Sequence, residues 1–184
     1  MSNGVLKEYI GKMSGCTKNP QVVNLSEIFW SWTGAFLGIS AVTLLHYKVF
    51  KGMDLMMLIG SFGASAVLIY GAIKSPLAQP RNLVGGHFLS ALVGVAVYKF
   101  LGGYIWLAAP MAVATAIALM HATKTLHPPG GATALIAVIG GADVHTQGFL
   151  YAFLPAAAGA LIMLIVALIV NNIPKTRRYP EFWL

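Results

Sequence analysis

The sequence predicts an all-α membrane protein with six membrane-embedded helical segments, arranged as a 3+3 inverted repeat with a short, broken fifth helix. Three observations predict this class. The 184 residues are 58% hydrophobic and only 9% charged, with mean hydropathy +0.76, whereas a soluble domain carries roughly 25% charged residues. Apolar runs long enough to cross a bilayer recur between short basic or Pro/Gly-rich connections. One of those runs is interrupted by His127-Pro128-Pro129-Gly130-Gly131-Ala132-Thr133, and a helix break inside a membrane protein has a restricted set of uses.

Residues 1–28 are mixed polar and charged and form an N-terminal segment, in which a short surface helix fits Leu6–Met13. No early apolar run follows Lys7, Glu8, Lys12 and Lys18, so no cleavable signal peptide is expected. Trp30 and Trp32 open the first span, which ends near His46-Tyr47-Lys48; aromatic residues at such ends suit the bilayer interface. The second span is predicted from Met53 to about Ile73, with Asp54 capping its start. The polar loop Lys74–Asn82 carries Pro76 and Pro80. Leu83–Leu101 makes the third span and Tyr104–Ala122 the fourth, separated by Gly102-Gly103.

The break comes next. Two successive prolines donate no backbone hydrogen bonds, and Pro128 pushes His127 out of the helical region. A new helix is predicted from Ala132 onward. Pro129 to Gly141 would then be about 13 residues, roughly 20 Å of helix, too short to cross a core of about 30 Å. Asp143, His145 and Gln147 form a turn, and Phe149–Val170 is the last long span. Residues 29–172 are thus the membrane domain, and 173–184 a basic, aromatic tail with Tyr179 and Trp183 as interfacial anchors. Between His127 and Thr133 the freed backbone groups need protein or a polar cavity around them, a geometry that in transporters marks the substrate site. The same residues would equally form an ordinary Pro/Gly loop at the surface.

The 12 Lys and Arg residues test the topology. With six crossings, Lys7, Lys12, Lys18, Lys74, Arg81, Lys124, Lys175, Arg177 and Arg178 share one side and Lys48, Lys51 and Lys99 the other. That bias puts both termini in the cytoplasm, and in a bacterium the membrane would be the inner one. The net charge of +7 therefore belongs to membrane loops and gives no expectation of nucleic-acid binding. The single cysteine, Cys16, excludes an internal disulfide and a cysteine-cluster metal site.

Gly63-Ala64-Ser65-Ala66-Val67-Leu68 in the second span matches Gly131-Ala132-Thr133-Ala134-Leu135-Ile136 at an offset of 68. The pattern is short and built from common membrane residues. It falls, however, in the middle element of each half. Halves with an odd number of spans lie in opposite orientations, the inverted-repeat plan with a site near mid-depth.

His127-Pro128-Pro129-Gly130-Gly131-Ala132-Thr133 resembles the signature of the HPP family of integral membrane proteins. Ser75-Pro76-Leu77-Ala78-Gln79-Pro80-Arg81-Asn82, followed by Gly85-Gly86-His87, is similar to its second signature, and Gly60-Ser61-Phe62-Gly63-Ala64-Ser65-Ala66 supports both. The resemblance covers about residues 25–172. Members are usually described with four transmembrane helices, fewer than the six segments predicted from the residues, and some carry a soluble regulatory module not expected here. The resemblance implies transport of nitrite, as in cyanobacterial and chloroplast members; composition and periodicity name no substrate.

A small bent anion needs a few hydrogen-bond donors and partial positive charge, which a helix N-terminus supplies. The candidate binding residues are Gly130, Gly131, Ala132 and Thr133, with Gly63, Ala64 and Ser65 as their repeat-related partners. Back-bonding or close helix packing would account equally for Thr133 and Ser65. Arg81 would guide anions at a vestibule, or serve as a topology charge satisfied by loop carbonyls. His87, His121 and His127 are intramembrane imidazoles, functional or simply bridging helices. His127 is the strongest of them, with an ordinary pKa of about 6.5 suited to coupling a proton to an anion. His46 and His145 read as interfacial, Asp54 and Asp143 as caps or loop anchors, and Gly34-x-x-x-Gly38 as a loose association motif.

The expectation is therefore a carrier or channel for a small anion, with the bilayer and nitrite as partners, no cofactor and a homo-oligomeric state. A structural or assembly subunit is the alternative. An intramembrane enzyme is less favoured, because the histidines lack metal spacing and no carboxylate falls well inside a span.

Overall fold

The computed structural model describes residues 3–14, 24–50 and 56–184. Cys16 and Asp54 lie outside them. Among the described residues every regular element is helical. In chain order these are α1 (Asn3–Gly11), α2 (Leu25–Lys48), α3 (Ser61–Gly71), α4 (Pro80–Leu101), α5 (Ile105–Ala122), α6 (Pro128–Ile139), α7 (Ala142–Gln147) and α8 (Ala152–Val170). Four of them, α2, α4, α5 and α8, are long and apolar enough to cross a membrane, and α3 and α6 are shorter apolar helices. The protein is a multi-pass integral membrane protein.

Helix α2 starts where Asn24 accepts the Glu27 N–H at 2.9 Å. It buries one stripe, Gly34, Gly38 and Val42. The stripe is a slot for Tyr70: a Cβ on Gly34 would stand 2.5 Å from the Tyr70 ring, and one on Gly38 would overlap its hydroxyl. Tyr70 then donates to the Met163 carbonyl on α8 at 3.0 Å. The Gly-x-x-x-Gly pattern thus packs the chain against itself. Helix α4 runs through the middle, burying Leu83, Gly86, His87, Ser90, Ala91 and Gly94.

The second predicted span is corrected. Residues 56–59 form no regular structure, and helix begins only at Ser61, ending in a widened π turn over Val67–Gly71. Side chains from elsewhere take the backbone groups that a longer helix would have used: His46 Nδ1 accepts from the Met57 N–H at 3.3 Å, and the Gln147 amide lies between Met56 N–H and the Leu154 carbonyl. His46 is therefore a backbone acceptor. His145 stacks on Tyr98 with ring centroids 3.7 Å apart.

The fifth element also differs from the prediction. The non-helical break is Thr123–His127, and α6 already runs from Pro128, four residues before the predicted start. A proline at the first helical position needs no N–H partner and has its φ preset. The chain reverses at Lys124, which holds φ +56° while Thr125 N–H caps the Met120 carbonyl at 2.8 Å.

The tail is corrected too. Tyr179 is 2% exposed and donates to the Ala78 carbonyl at 2.7 Å, so it anchors the chain and not the bilayer interface. Burial pushes its phenol pKa above the ordinary value, which keeps it a donor. Arg177 is buried between the start of α2 and the end of α3, bonded to Glu27, Ser31, Asn171 and the Tyr70 carbonyl.

Candidate functional site

Where α3 and α6 meet against α4, the apolar interior is interrupted by five buried polar side chains. Ser65 and His87 are fully buried, as are His127 and Thr133, with Ser61 at 1% exposure. Each arrives from its own local cause. Ser61 and Ser65 are one turn apart on α3. His87 is buried mid-way along α4's first half, behind Gly86. His127 is the extended residue before the paired prolines, φ −139°. Thr133 lies on the inner face of α6.

The cluster is continuous. Thr133 and Ser61 hydroxyls are 2.9 Å apart, and Thr133 Oγ1 is 2.7 Å from His87 Nδ1. His87 Nε2 lies 2.7 Å from Ser65 Oγ, which lies 2.9 Å from His127 Nε2. His127 Nδ1 ends the series at the Leu77 carbonyl, 2.8 Å away. The two imidazole centroids are 5.1 Å apart, with Phe62 edge-on to His87 at 5.3 Å. Tyr151 donates to the Thr133 carbonyl at 3.2 Å. No buried side-chain nitrogen or oxygen among the described residues lacks a partner.

Close backbone approach makes this possible at Gly86 and Gly130. A Cβ on Gly86 would sit 2.5 Å from His127 Cβ, and one on Gly130 2.8 Å from Ser90 Oγ. A methyl at either place would push α4 and α6 apart and open the cluster.

The loop Ser75–Asn82 wraps the break. Arg81 donates to the Thr123 carbonyl at 2.7 Å and Asn82 to the Leu126 carbonyl at 2.8 Å. Gln79 holds the loop itself through the Ile73 and Ser75 carbonyls. Free carbonyls of one motif are thus satisfied by side chains of the other. The sequence of this chain matches the family profile described as "HPP, transmembrane region" over residues 20–180. The chain belongs to the HPP transmembrane family. It is 50% identical over 179 residues to one transmembrane protein of Dictyostelium discoideum, covering 96% of this chain and 57% of that one. A second Dictyostelium transmembrane protein is 47% identical over 180 residues, covering 96% and 62%. The chain therefore spans about three fifths of the length of these curated relatives. No solved structure matches.

Of the HPP residues singled out in the sequence, the fold brings together His87, His127, Ser65 and Thr133. It leaves Gly63 and Ala64 exposed on the opposite face of α3, and Gly131 and Ala132 half-buried on α6. The expectation that Gly130, Gly131 and Ala132 offer free N–H groups is corrected. They lie within α6, Gly130 N–H already donates to the His127 carbonyl at 2.8 Å, and the two residues before it are prolines without an N–H. Arg81 sits at the break's carbonyl end, away from the imidazoles. His121 is exposed at the end of α5. Ser61, Leu77, Gln79 and Asn82 stand in the signatures quoted from the sequence but carry no assigned role there, and Tyr151 is not singled out at all. Beyond those signatures, the Ser61/Ser65 spacing of four is the local signal.

Proposed function

We infer that this HPP chain is a transporter or channel for a small inorganic anion, nitrite by family resemblance, whose path runs through the junction of α3 and α6. One observation carries the reading: two short apolar helices, α3 and α6, meet at a buried cluster of hydroxyls and imidazoles. Polar and ionisable residues at such depth mark substrate or proton pathways by default. In the closed arrangement the donors serve each other. Binding therefore requires the junction to part, so that an anion replaces Ser65 or Thr133 as partner of the imidazoles. Arg81 at the break guides anions toward it.

The inverted-repeat reading draws support from the same junction. Ser61 pairs with Thr133 while Ser65 pairs with His127, so α3 and α6 cross antiparallel, as a two-fold axis in the membrane plane requires. Adding the offset of 68 to the bounds of α3 gives 129–139, which falls inside α6. Six embedded segments with both termini cytoplasmic follow, and the exposed apolar faces of α2 and α5 suit a homo-oligomer.

The test is nitrite flux into proteoliposomes, corrected for protein-free vesicles and compared with nitrate, formate and chloride. His127→Ala should lower nitrite flux at least tenfold while the purified protein remains folded. Normal flux in a folded His127→Ala variant would move the path elsewhere. No flux in the unaltered protein would favour a structural membrane subunit.

A further inference from the structure

One carbonyl sets the order of the hydrogens between the two imidazoles. The Leu77 oxygen only accepts, so His127 Nδ1 must carry a hydrogen. A neutral His127 then has a bare Nε2, and Ser65 must donate to it. Ser65 has one hydrogen, now used, so the short contact to His87 requires His87 Nε2–H to donate to Ser65. His87 Nδ1 is then bare and takes the Thr133 hydroxyl hydrogen, so Thr133 withdraws the donation to Ser61 that its geometry otherwise offers. The two imidazoles are thereby opposite tautomers, His127 protonated on Nδ1 and His87 on Nε2.

The same five side chains also admit one additional proton without breaking a contact. A proton added at His127 Nε2 forms a new N–H bond and makes that ring an imidazolium. Its Nε2–H donates to Ser65, whose hydroxyl turns to His87 Nε2. For that nitrogen to accept, His87 moves its hydrogen to Nδ1 and donates to Thr133, which turns to Ser61. Release of the proton from Nε2 restores the first pattern. A second proton would set two imidazolium rings 5.1 Å apart. The titratable groups facing the pair are each other and Tyr151, whose hydroxyl is engaged by the Thr133 carbonyl. The charged side chain buried among the described residues is Arg177, in the separate cluster with Glu27.

We propose that Ser61, Ser65, His87, His127 and Thr133 form a binding site for a single exchangeable proton, read out as a reversal of the hydrogen-bond direction between two opposite histidine tautomers. The proton site stands on this geometry. Its consequence for flux rests on the anion-transport reading: one proton accompanies each nitrite, and the net movement is electrically silent.

The experiment has two arms on the full chain. In nanodiscs, 15N-histidine NMR with His87→Gln and His127→Gln for assignment should show Nδ1–H at His127 and Nε2–H at His87 in the neutral state. Acidification should add one proton to the pair and move His87 to Nδ1–H. Ser65→Ala removes the link and should release His87 from its fixed tautomer, while Ser65→Thr keeps a hydroxyl and restores it. In proteoliposomes with an entrapped pH dye, nitrite entry should carry about one proton per anion independent of an imposed potential, and Ser65→Ala should lower that ratio at least tenfold. Two histidines of the same tautomer, or two protons taken up together, would overturn the proton site even where nitrite moves. Opposite tautomers and single-proton uptake without nitrite flux would uphold the site and overturn the transport reading alone.

Discussion

Two buried polar clusters lie at different places in this bundle, and they are built on opposite plans. At the end of the bundle, the Arg177 guanidinium is held by the Glu27 carboxylate at 2.8 Å, the Glu27 carbonyl at 3.0 Å and the Ser31 hydroxyl at 2.8 Å. The Tyr70 carbonyl and Asn171 side chain, both at 3.2 Å, take its remaining hydrogens. Every donor of one fixed cation is used, and no member can exchange roles. In the centre, each link between side chains is a single hydrogen between groups that both donate and accept. The end cluster is over-determined and fastens three segments; the central one admits two orders of its hydrogens. Buried polarity alone does not distinguish fastening from function, whereas the capacity to reverse does.

The largest expected effect of this contrast is on stability. Arg177→Ala leaves the Tyr70 carbonyl and Asn171 without their donor and should cost about 3 kcal/mol, measured as loss of thermal stability in detergent. Because Arg177 touches no member of the central cluster, the fraction still folded should retain its nitrite flux per molecule. Thr133→Val should behave in the reverse manner. It strands His87 Nδ1 and Ser61, costs about 1–2 kcal/mol, and should reduce flux by more than its stability loss accounts for. Equal stability losses in the two variants with flux unaffected by either would erase the distinction. The smallest effect is expected outside both clusters: Lys124 holds a positive φ, so Lys124→Gly should stabilise the protein by about 0.5–1 kcal/mol and leave flux unchanged. A loss of flux there would tie the Lys124 reversal to the central cluster.

The architecture was legible where local chemistry decides it. The paired prolines announced the break, and the short apolar stretch after them announced α6. The start of α6 was misplaced because the glycines after the prolines were read as unwound, whereas Pro128 and Pro129 are the residues best suited to begin a helix. The short α3 was invisible for a different reason. Its preceding chain is apolar, and the N–H groups of Met56 and Met57 are taken by Gln147 and His46 from distant elements. In the centre, His87, His127, Ser65 and Thr133 could be named from the sequence, but not their connection. Leu77, whose carbonyl sets the tautomer of His127, is an ordinary apolar residue, and its role depends on a contact across 50 positions. Tyr179 and Arg177 were read as surface residues for the same reason: tail chemistry suggests an interface, and only the fold reveals the loops waiting for it.

Those loops put the assembly of the centre on a timetable. Gln79, two residues from Leu77, uses its amide nitrogen on Ile73 and Ser75 and its oxygen on the Glu181 N–H at 2.9 Å, while Tyr179 closes on Ala78. The segment that aims the Leu77 carbonyl at His127 is thus clasped by residues that come after all four long helices in the chain. Four long helices can be threaded into the bilayer before that clasp exists. Throughout that interval His127 is free to adopt either tautomer, and the hydrogen order at the heart of the bundle is written only once the stretch after α8 has docked.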